Sequence, residues 1–161
     1  MSTEINGLDG DVEKGQIAIV ASRYNPGICD ALVAAARETL STAGFADSDI
    51  LVIRVPGAWE LPSVSQRIIE KPEVIAVIAL GCVIKGETTH DEHINRAVST
   101  ALMQLSIDEG LPVGFGLLTC NTLEQAINRS GGTVGNKGHE AAEAVLEQLR
   151  LEAKLAKIIG A

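Results

Sequence analysis

The chain has 161 residues, a formal net charge of −8 and a hydrophobic share of 46%. This length suits one domain, the apolar share excludes wholesale disorder, and an acidic chain with no basic run is unsuited to nucleic acid. No apolar run approaches the roughly 20 residues of a membrane-spanning helix, and the polar N-terminus lacks a signal-peptide pattern, so we expect a cytoplasmic protein without a membrane partner.

Residues 1–15 show neither helical nor strand periodicity and are expected to form an irregular or extended arm. Further along, short apolar runs alternate with amphipathic segments. The pattern predicts strands at 16–22, 50–55, 74–81 and 113–118 and helices at 28–43, 61–70, 90–109, 121–129 and 137–157. This alternation is typical of an α/β fold, a three-layer α/β/α sandwich with a parallel sheet, in one domain over residues 16–161.

The three cysteines are widely spaced, with no CxxC pair, and each lies among apolar or small residues. Cys29, Cys82 and Cys120 are therefore expected to be buried thiols in a reducing compartment, neither a disulfide nor a zinc framework.

Ligands of parallel α/β sheets bind beyond the carboxyl ends of the strands. One such segment, Thr89-His90-Asp91-Glu92, fits a capping box with Thr89 as N-cap. It places His90 in the first helical turn, where a neutral imidazole could transfer protons; the alternative is an exposed histidine without a role. A metal shared by His90 and His93 lacks a third ligand, and no metal site is expected.

Two further segments offer aromatic rings. Trp59 and Glu60 follow the second strand, where the ring could stack on a flat heterocycle and the carboxylate could bind its edge. The alternative is a tryptophan that fills the core beside a solvated glutamate. Tyr24 lies just after the first strand and offers a second ring.

The turn at 85–89 supplies backbone N–H groups at a helix start, which is a generic anion site. Positive charge could come from Lys85, Arg129 or Lys137. The loop 131–138 is rich in glycine but follows a helix and lacks Gly-Lys-Ser/Thr, so we expect a flexible connection, not a Walker A loop. A capping box at 121–124 is expected only to start a helix.

Several ordered motifs together resemble the 6,7-dimethyl-8-ribityllumazine synthases of riboflavin biosynthesis. The resemblance covers about residues 16–150 and is carried by Arg23-Tyr24-Asn25, the segments 55–62 and 79–90, Phe115-Gly-Leu-Leu-Thr119, Glu124-Gln-Ala126 and Gly135-Asn-Lys-Gly138. It implies a flavodoxin-like four-stranded sheet and an arm, residues 1–15, that pairs with a neighbouring subunit.

The resemblance also implies a transferase reaction without cofactor or metal. In it, 5-amino-6-(D-ribitylamino)uracil condenses with 3,4-dihydroxy-2-butanone 4-phosphate, through an imine, loss of phosphate and ring closure with loss of water. The family assembles as pentamers, and some members form 60-subunit icosahedral shells. The compact loop at 131–137 favours the shell, for which riboflavin synthase is a candidate cargo.

The roles that the resemblance implies fall into three groups. His90 matches the proton-transfer residue. The pyrimidine and its ribityl chain are expected to bind to Tyr24, Ala58, Trp59, Glu60, Cys82, Val83 and Ile84, with Phe115 contributed by a neighbouring subunit. The phosphate substrate is expected to bind to Glu87 (through its backbone), Thr88, Arg129 and Lys137.

Two alternatives stay open. One is a riboflavin-synthase-like paralogue that uses lumazine itself. The other is a flavin- or lumazine-binding shell protein without catalysis, which would not need the phosphate-binding residues.

Overall fold

The computed structural model describes residues 1–160. Helices and strands in that range are, in chain order, β1 Gln16–Ser22, α1 Pro26–Thr42, β2 Ile50–Val55, α2 Leu61–Ile69, β3 Val74–Ile84, α3 His90–Glu109, β4 Val113–Cys120, α4 Leu123–Asn128, β5 Ser130–Gly132, β6 Gly135–Asn136 and α5 Lys137–Ile159. Short 3₁₀ turns at 47–49 and 58–60 precede β2 and α2. Within residues 1–160, no helix is long and apolar enough to cross a membrane.

The main sheet has four parallel strands in the order β2-β1-β3-β4, which confirms the predicted fold. The chain runs outward from β1 to β2, then returns to place β3 on the other side of β1. The carboxyl ends of β1 and β3 therefore flank the point where the strand order reverses, the usual ligand position in such sheets.

Aliphatic side chains from both faces of the sheet form two cores. On one face, β1 and β3 pack against α1 and α5 through residues such as Ile19, Leu32 and Leu146. On the other, they pack against α2 and α3 through residues such as Leu61 and Val98. Helices thus cover both faces of the sheet, as expected for a three-layer sandwich.

The close packing of α5 on α1 depends on one glycine. Gly138 lies in the first turn of α5, and a Cβ there would overlap the backbone of Leu32. Asn136 caps this helix, since its Oδ1 accepts hydrogen bonds from the N–H groups of Gly138 and His139, at 2.8 and 3.2 Å. Glycine and cap together fix where α5 begins.

Strands β3 and β4 extend beyond their predicted ends at Gly81 and Leu118. The added residues pair with one another across the two strands, Val83 opposite Thr119 and Ile84 opposite Cys120. Gly81 does not end a strand; its lack of a side chain accommodates close packing, because a Cβ there would lie 2.9 Å from Cδ1 of Leu117.

The glycine-rich segment after α4 is not the flexible connection predicted from its composition. Ser130–Gly132 and Gly135–Asn136 form a small antiparallel hairpin, with Gly131 and Gly135 at positive φ. Such φ values favour glycine, so the glycines of this segment allow a tight turn.

Helix starts also differ from the sequence prediction. Helix α4 begins at Leu123 because Thr122, not Asn121, is its N-cap: Thr122 Oγ1 accepts from the Gln125 N–H at 3.2 Å. Helix α1 begins at Pro26, whose fixed φ suits the first helical position, two residues before the predicted start.

Residues 1–15 contain neither a helix nor a strand and lie partly along α5. Lys154 Nζ donates to the carbonyl of Asn6 at 2.9 Å and to Asp9 Oδ1 at 2.6 Å. Gly7 lies so close to the Glu147 carbonyl that a Cβ would overlap it. The predicted domain boundary at residue 161 lies outside the described residues.

Candidate active site

A cavity of about 340 Å³ opens at the carboxyl ends of β1, β2 and β3. Its walls come from the turns after these strands and from the first turns of α3. It contains most of the residues that the sequence predicted for pyrimidine binding and proton transfer, namely Tyr24, Ala58, Trp59, Glu60, Cys82, Val83, Ile84 and His90, together with Thr88, which was predicted for the phosphate substrate. Their placement agrees with the prediction, and their roles stay predictions.

The turn after β1 presents Tyr24, which is 71% exposed. Backbone bonds hold it: the Tyr24 N–H donates to Ser22 Oγ at 3.1 Å, and Cys29 Sγ donates to the Tyr24 carbonyl at 3.1 Å. Asn25 has a left-handed backbone (φ 55°), and its Nδ2 donates to the Cys82 carbonyl at 3.0 Å. Asn25 therefore joins the β1 turn to the end of β3.

The turn after β2 presents Trp59, which is 62% exposed. This excludes the alternative in which Trp59 fills the core; Ala58, next to it, is buried instead. The half-buried Glu60 lies on the same wall as the indole. An exposed indole on a cavity wall is suited to stacking on a flat ligand.

The predicted capping box at the start of α3 does not form. Thr89 is the N-cap residue, but its φ of −85° and ψ of 12° are not extended, and its side chain makes no capping bond. An N-cap hydroxyl reaches the helix N–H groups from an extended backbone. Thr88 Oγ1 accepts from the His90 N–H at 3.3 Å in its place.

His90 is exposed in the first turn of α3 and contributes to the cavity wall. Tyr24 and Trp59 line the same cavity. Within residues 1–160, no group of three or more His, Cys, Asp or Glu side chains is arranged to hold a metal ion. An exposed imidazole on a cavity wall is able to exchange protons with a bound ligand, and this role of His90 stays a prediction.

The remaining predicted residues do not line the cavity of a single chain. Glu87 is exposed, while its neighbours Gly86 and Thr88 line the wall. Arg129 ends α4, where its Nη1 donates to the Gln125 carbonyl at 3.2 Å. No arginine or lysine lies among the described residues that line the cavity.

Lys137 and Phe115 also lie elsewhere. The Lys137 N–H donates to the Arg129 carbonyl at 2.8 Å, which brings these two basic residues together where α5 begins. Phe115 lies in the middle of the edge strand β4, opposite Ala79, and is 43% exposed. One chain therefore contains a ring-lined cavity and, apart from it, a pair of basic residues and an exposed ring.

The cysteines are buried and free, as predicted. Burial raises the pKa of Cys82 to about 12, with smaller contributions from Cys120 and Cys29. Burial likewise raises the pKa of Cys29 to about 11. The pKa of Cys120 is raised by burial too, with Arg129 acting in the opposite direction. Protonated thiols are poor nucleophiles, so Cys82 provides a neutral wall at the end of β3.

Sequence reasoning missed several cavity residues, among them Gly57, Asp91 and Ile94. Ile94 lies one helical turn after His90, so helical periodicity could have identified it. Asp91 was part of the capping motif only. The hydrogen bond between Asn25 and Cys82 could not be predicted from a local sequence pattern, because the two residues are 57 positions apart.

Comparison with known proteins gives one consistent result. The sequence model of the family described as 6,7-dimethyl-8-ribityllumazine synthase matches residues 14–153. A 6,7-dimethyl-8-ribityllumazine synthase of Rhodopirellula baltica is 60% identical over 151 residues, 94% of this chain and 97% of the relative. Two of the same name from Stenotrophomonas maltophilia strains K279a and R551-3 are each 47% identical over 146 residues, 89% of this chain and 94% of the relative. The chain belongs to the 6,7-dimethyl-8-ribityllumazine synthase family.

Proposed function

We propose that the chain condenses 5-amino-6-(D-ribitylamino)uracil with 3,4-dihydroxy-2-butanone 4-phosphate to 6,7-dimethyl-8-ribityllumazine, with release of phosphate and water. Membership of the family supports this transferase reaction. The observation that carries it is the cavity in which Tyr24, Trp59 and His90 meet. Two exposed rings and one imidazole suit a flat heterocycle that must exchange protons.

The pyrimidine binds between the turns that follow β1 and β2. Tyr24 and Trp59 offer ring faces for stacking, and Glu60 accepts hydrogen bonds from N–H or hydroxyl groups. The strand residues Cys82, Val83 and Ile84, with Ala58, form the remaining wall. None of these groups needs to move a proton. Their contribution is to orient the amine of the pyrimidine toward the carbonyl of the butanone phosphate.

His90 transfers protons during imine formation and phosphate loss. It stands at the carboxyl end of β3, beside the rings that hold the pyrimidine. Both steps need a group that accepts and returns a proton near neutral pH, which an imidazole can do. The other cavity residues still orient the substrates when the imidazole is removed, so His90→Ala is expected to retain residual activity.

The phosphate group binds where α3 begins. The turn before α3 offers backbone N–H groups, the Thr88 hydroxyl and the positive end of the helix dipole for this purpose. The cavity of one chain supplies two carboxylates, Glu60 and Asp91, and no basic side chain from the described residues. A phosphate dianion needs positive charge close by, so another source must provide it.

Arg129 and Lys137 are that source if they reach the cavity of a neighbouring copy. They lie together at the start of α5, outside the cavity of their own chain. Phe115, exposed on the edge strand, is placed to complete a neighbour's pyrimidine site in the same way. Such shared sites require a homo-oligomer, and the resemblance to the family implies that it is a pentamer.

The arm and the hairpin bear on larger assembly. Residues 1–5 are exposed, while Asn6 and Asp9 are held on α5, so the first residues are free to pair with a neighbouring subunit. The short β5–β6 hairpin leaves room for packing of pentamers into a 60-subunit icosahedral shell, with riboflavin synthase as a candidate cargo. We place this assembly in the cytoplasm. Light scattering and native mass spectrometry separate a pentamer from a shell.

The test of function mixes the purified protein with both substrates and follows lumazine fluorescence. Product must form faster than in the protein-free control, because the condensation also proceeds slowly in solution. A rate equal to that control contradicts the proposal. A second reaction supplies lumazine alone. Riboflavin formation there identifies the riboflavin-synthase-like paralogue, an alternative that the names of the relatives do not favour. Lumazine binding without turnover in either reaction identifies a non-catalytic binding protein.

A further inference from the structure

Asp91 brings a second carboxylate into the cavity. It lies in the first turn of α3, half-buried, and lines the cavity with Trp59 and His90. Its Oδ1 is shielded from solvent, and no donor within residues 1–160 bonds to it. A buried acceptor without a donor destabilises a folded chain, since its bonds to water are lost and not replaced.

Ordinary structural roles do not account for this oxygen. The ion pairs formed within residues 1–160 do not include Asp91. An acidic residue in a first turn does complement the helix dipole, but the neighbouring Glu92 also does so from an exposed position. The α3 dipole therefore explains why the first turn is acidic. It does not explain why Oδ1 of Asp91 is buried without a donor.

A second orphaned oxygen lies one helical turn further along. Asn95 Oδ1 is also buried without a donor from the described residues. Residues four apart share one face of a helix, so Asp91 and Asn95 lie on the same side of α3, although only Asp91 lines the cavity. The two acceptors do not bond to each other: either the Asn95 amide turns so that its Nδ2 donates to Asp91, or an N–H or O–H group from outside the helix satisfies the carboxylate.

We propose that Asp91 binds substrate: its carboxylate turns so that an oxygen faces the cavity and accepts a hydrogen bond from an N–H or O–H group of the pyrimidine. This rests on the proposed function. Of the two substrates, the pyrimidine carries ring N–H groups, an amino group and ribityl hydroxyls, all donors. The butanone phosphate carries a dianion that a carboxylate repels. Asp91 and Glu60 together make the cavity selective for the donor-rich substrate.

Asp91 acts in binding and does not relay protons through His90. Successive residues of a helix point about 100° apart, so their side chains do not face each other. A change at Asp91 should therefore alter the affinity for the pyrimidine more than the turnover rate. This difference separates the proposal from a second role in proton transfer.

The experiment measures binding through Trp59, the single tryptophan of the chain, whose fluorescence reports a ligand that stacks on it. Asp91→Ala is expected to raise the Kd of 5-amino-6-(D-ribitylamino)uracil about 10- to 100-fold, the range for a lost hydrogen bond to a charged group. The KM of the butanone phosphate and kcat should stay within about threefold. Asp91→Asn, which keeps the volume and one acceptor, should have a smaller effect.

Glu92→Gln is the matched control. It removes one negative charge from the same helical turn at an exposed position outside the cavity, so it reports the dipole effect alone. Its Kd for the pyrimidine should equal that of the wild type. A pyrimidine without the ribityl chain, 5,6-diaminouracil, locates the donor: a loss for both ligands indicates the ring edge, and a loss confined to the ribityl compound indicates a hydroxyl.

Three results would overturn the inference and leave the proposed function standing, provided the wild type forms lumazine. One is an unchanged pyrimidine Kd in Asp91→Ala. Another is an equal loss of affinity for both substrates. The third is a loss of stability without a loss of binding: both Asp91→Ala and Asn95→Ala melt at a lower temperature or assemble differently, while the pyrimidine Kd is unchanged. That result indicates that the Asp91 carboxylate and the Asn95 amide bond to each other within α3. A wild type that forms no lumazine rejects the proposed function itself.

Discussion

Replacing Asn25 by alanine removes two local stabilising features at once. Asn25 holds a left-handed backbone with φ of 55°, a conformation that asparagine tolerates better than alanine. Its Nδ2 also donates to the Cys82 carbonyl at 3.0 Å, which fixes the Tyr24 turn against the end of β3. Replacement by glycine removes only the second feature, because glycine adopts positive φ without strain.

The two variants therefore separate the two contributions. Loss of the side-chain donor leaves a partly buried carbonyl without this partner and costs about 1–3 kcal/mol. The left-handed backbone costs alanine about 1 kcal/mol more than glycine. Asn25→Ala should destabilise the chain by about 2–4 kcal/mol and Asn25→Gly by about 1–3 kcal/mol.

Thermal unfolding at a fixed protein concentration measures both, since assembly also stabilises the folded chain. For a chain of this size, 1 kcal/mol corresponds to about 2–4 °C, so Asn25→Ala should melt roughly 5–15 °C below the wild type. Asn25→Gly should recover about 3 °C of that loss. Equal melting temperatures for the wild type and Asn25→Ala would refute the reasoning, and equal losses in the two variants would refute the backbone part of it.

The remaining predictions concern catalysis, packing and the thiols. Arg129→Ala should raise the KM of the butanone phosphate at least about tenfold and leave pyrimidine binding unchanged, as steady-state kinetics and tryptophan fluorescence can measure. His90→Ala should lower kcat about 10²-fold or more while pyrimidine binding persists. Gly138→Val should lower the melting temperature strongly, because its side chain would overlap the Leu32 backbone. Buried thiols such as Cys82 should react with a thiol reagent at pH 8 only after denaturation.

The thiols also predict a pH dependence of stability. The pKa of Cys82 rises from 9.0 in the unfolded chain to about 12 in the folded protein, since burial disfavours the thiolate. Stability from this group is complete below about pH 9 and falls as the pH rises toward 12, because the unfolded chain ionises first. Cys82→Ser should weaken this alkaline loss in pH-dependent melting.

Each of these predictions has a contrary result. Equal effects of Arg129→Ala on both substrates would remove the arginine from the phosphate site, and an unchanged kcat would remove His90 from proton transfer. Gly138→Val with a wild-type melting temperature would contradict the close approach of α1 and α5. Rapid modification of native thiols, or a Cys82→Ser variant with an unaltered alkaline profile, would contradict their burial.

The fold could be predicted because its signals are local. Four apolar runs alternate with amphipathic helices, and this order alone defines a parallel sheet covered on both faces. Strand ends were less predictable: Gly81 suggested an end, whereas its neighbours Val83 and Ile84 continue the pairing with β4. Pairing between strands depends on the partner strand, which a single segment does not reveal.

The site could be predicted only in part, for a physical reason. Tyr24, Trp59 and His90 each follow a strand, so sheet topology alone brings them together. The placement of Asn25 depends on a contact with β3 far along the chain, and the burial of Asp91 depends on the packing of α3. Arg129 lies outside the cavity of its own chain, so the geometry of one chain does not test its predicted role at the phosphate.

The most direct test of the account combines two impaired variants, His90→Ala and Arg129→Ala, in one assembly and measures the rate with the butanone phosphate well below its KM, where both variants are slow. If the cavity of one copy takes its phosphate-binding arginine from the next, co-expressed copies form some sites with both wild-type residues. With equal amounts and random assembly, about one quarter of the sites are intact. The account predicts lumazine formation at about one quarter of the wild-type rate. A hybrid no more active than the average of the two variants would contradict a site shared between copies.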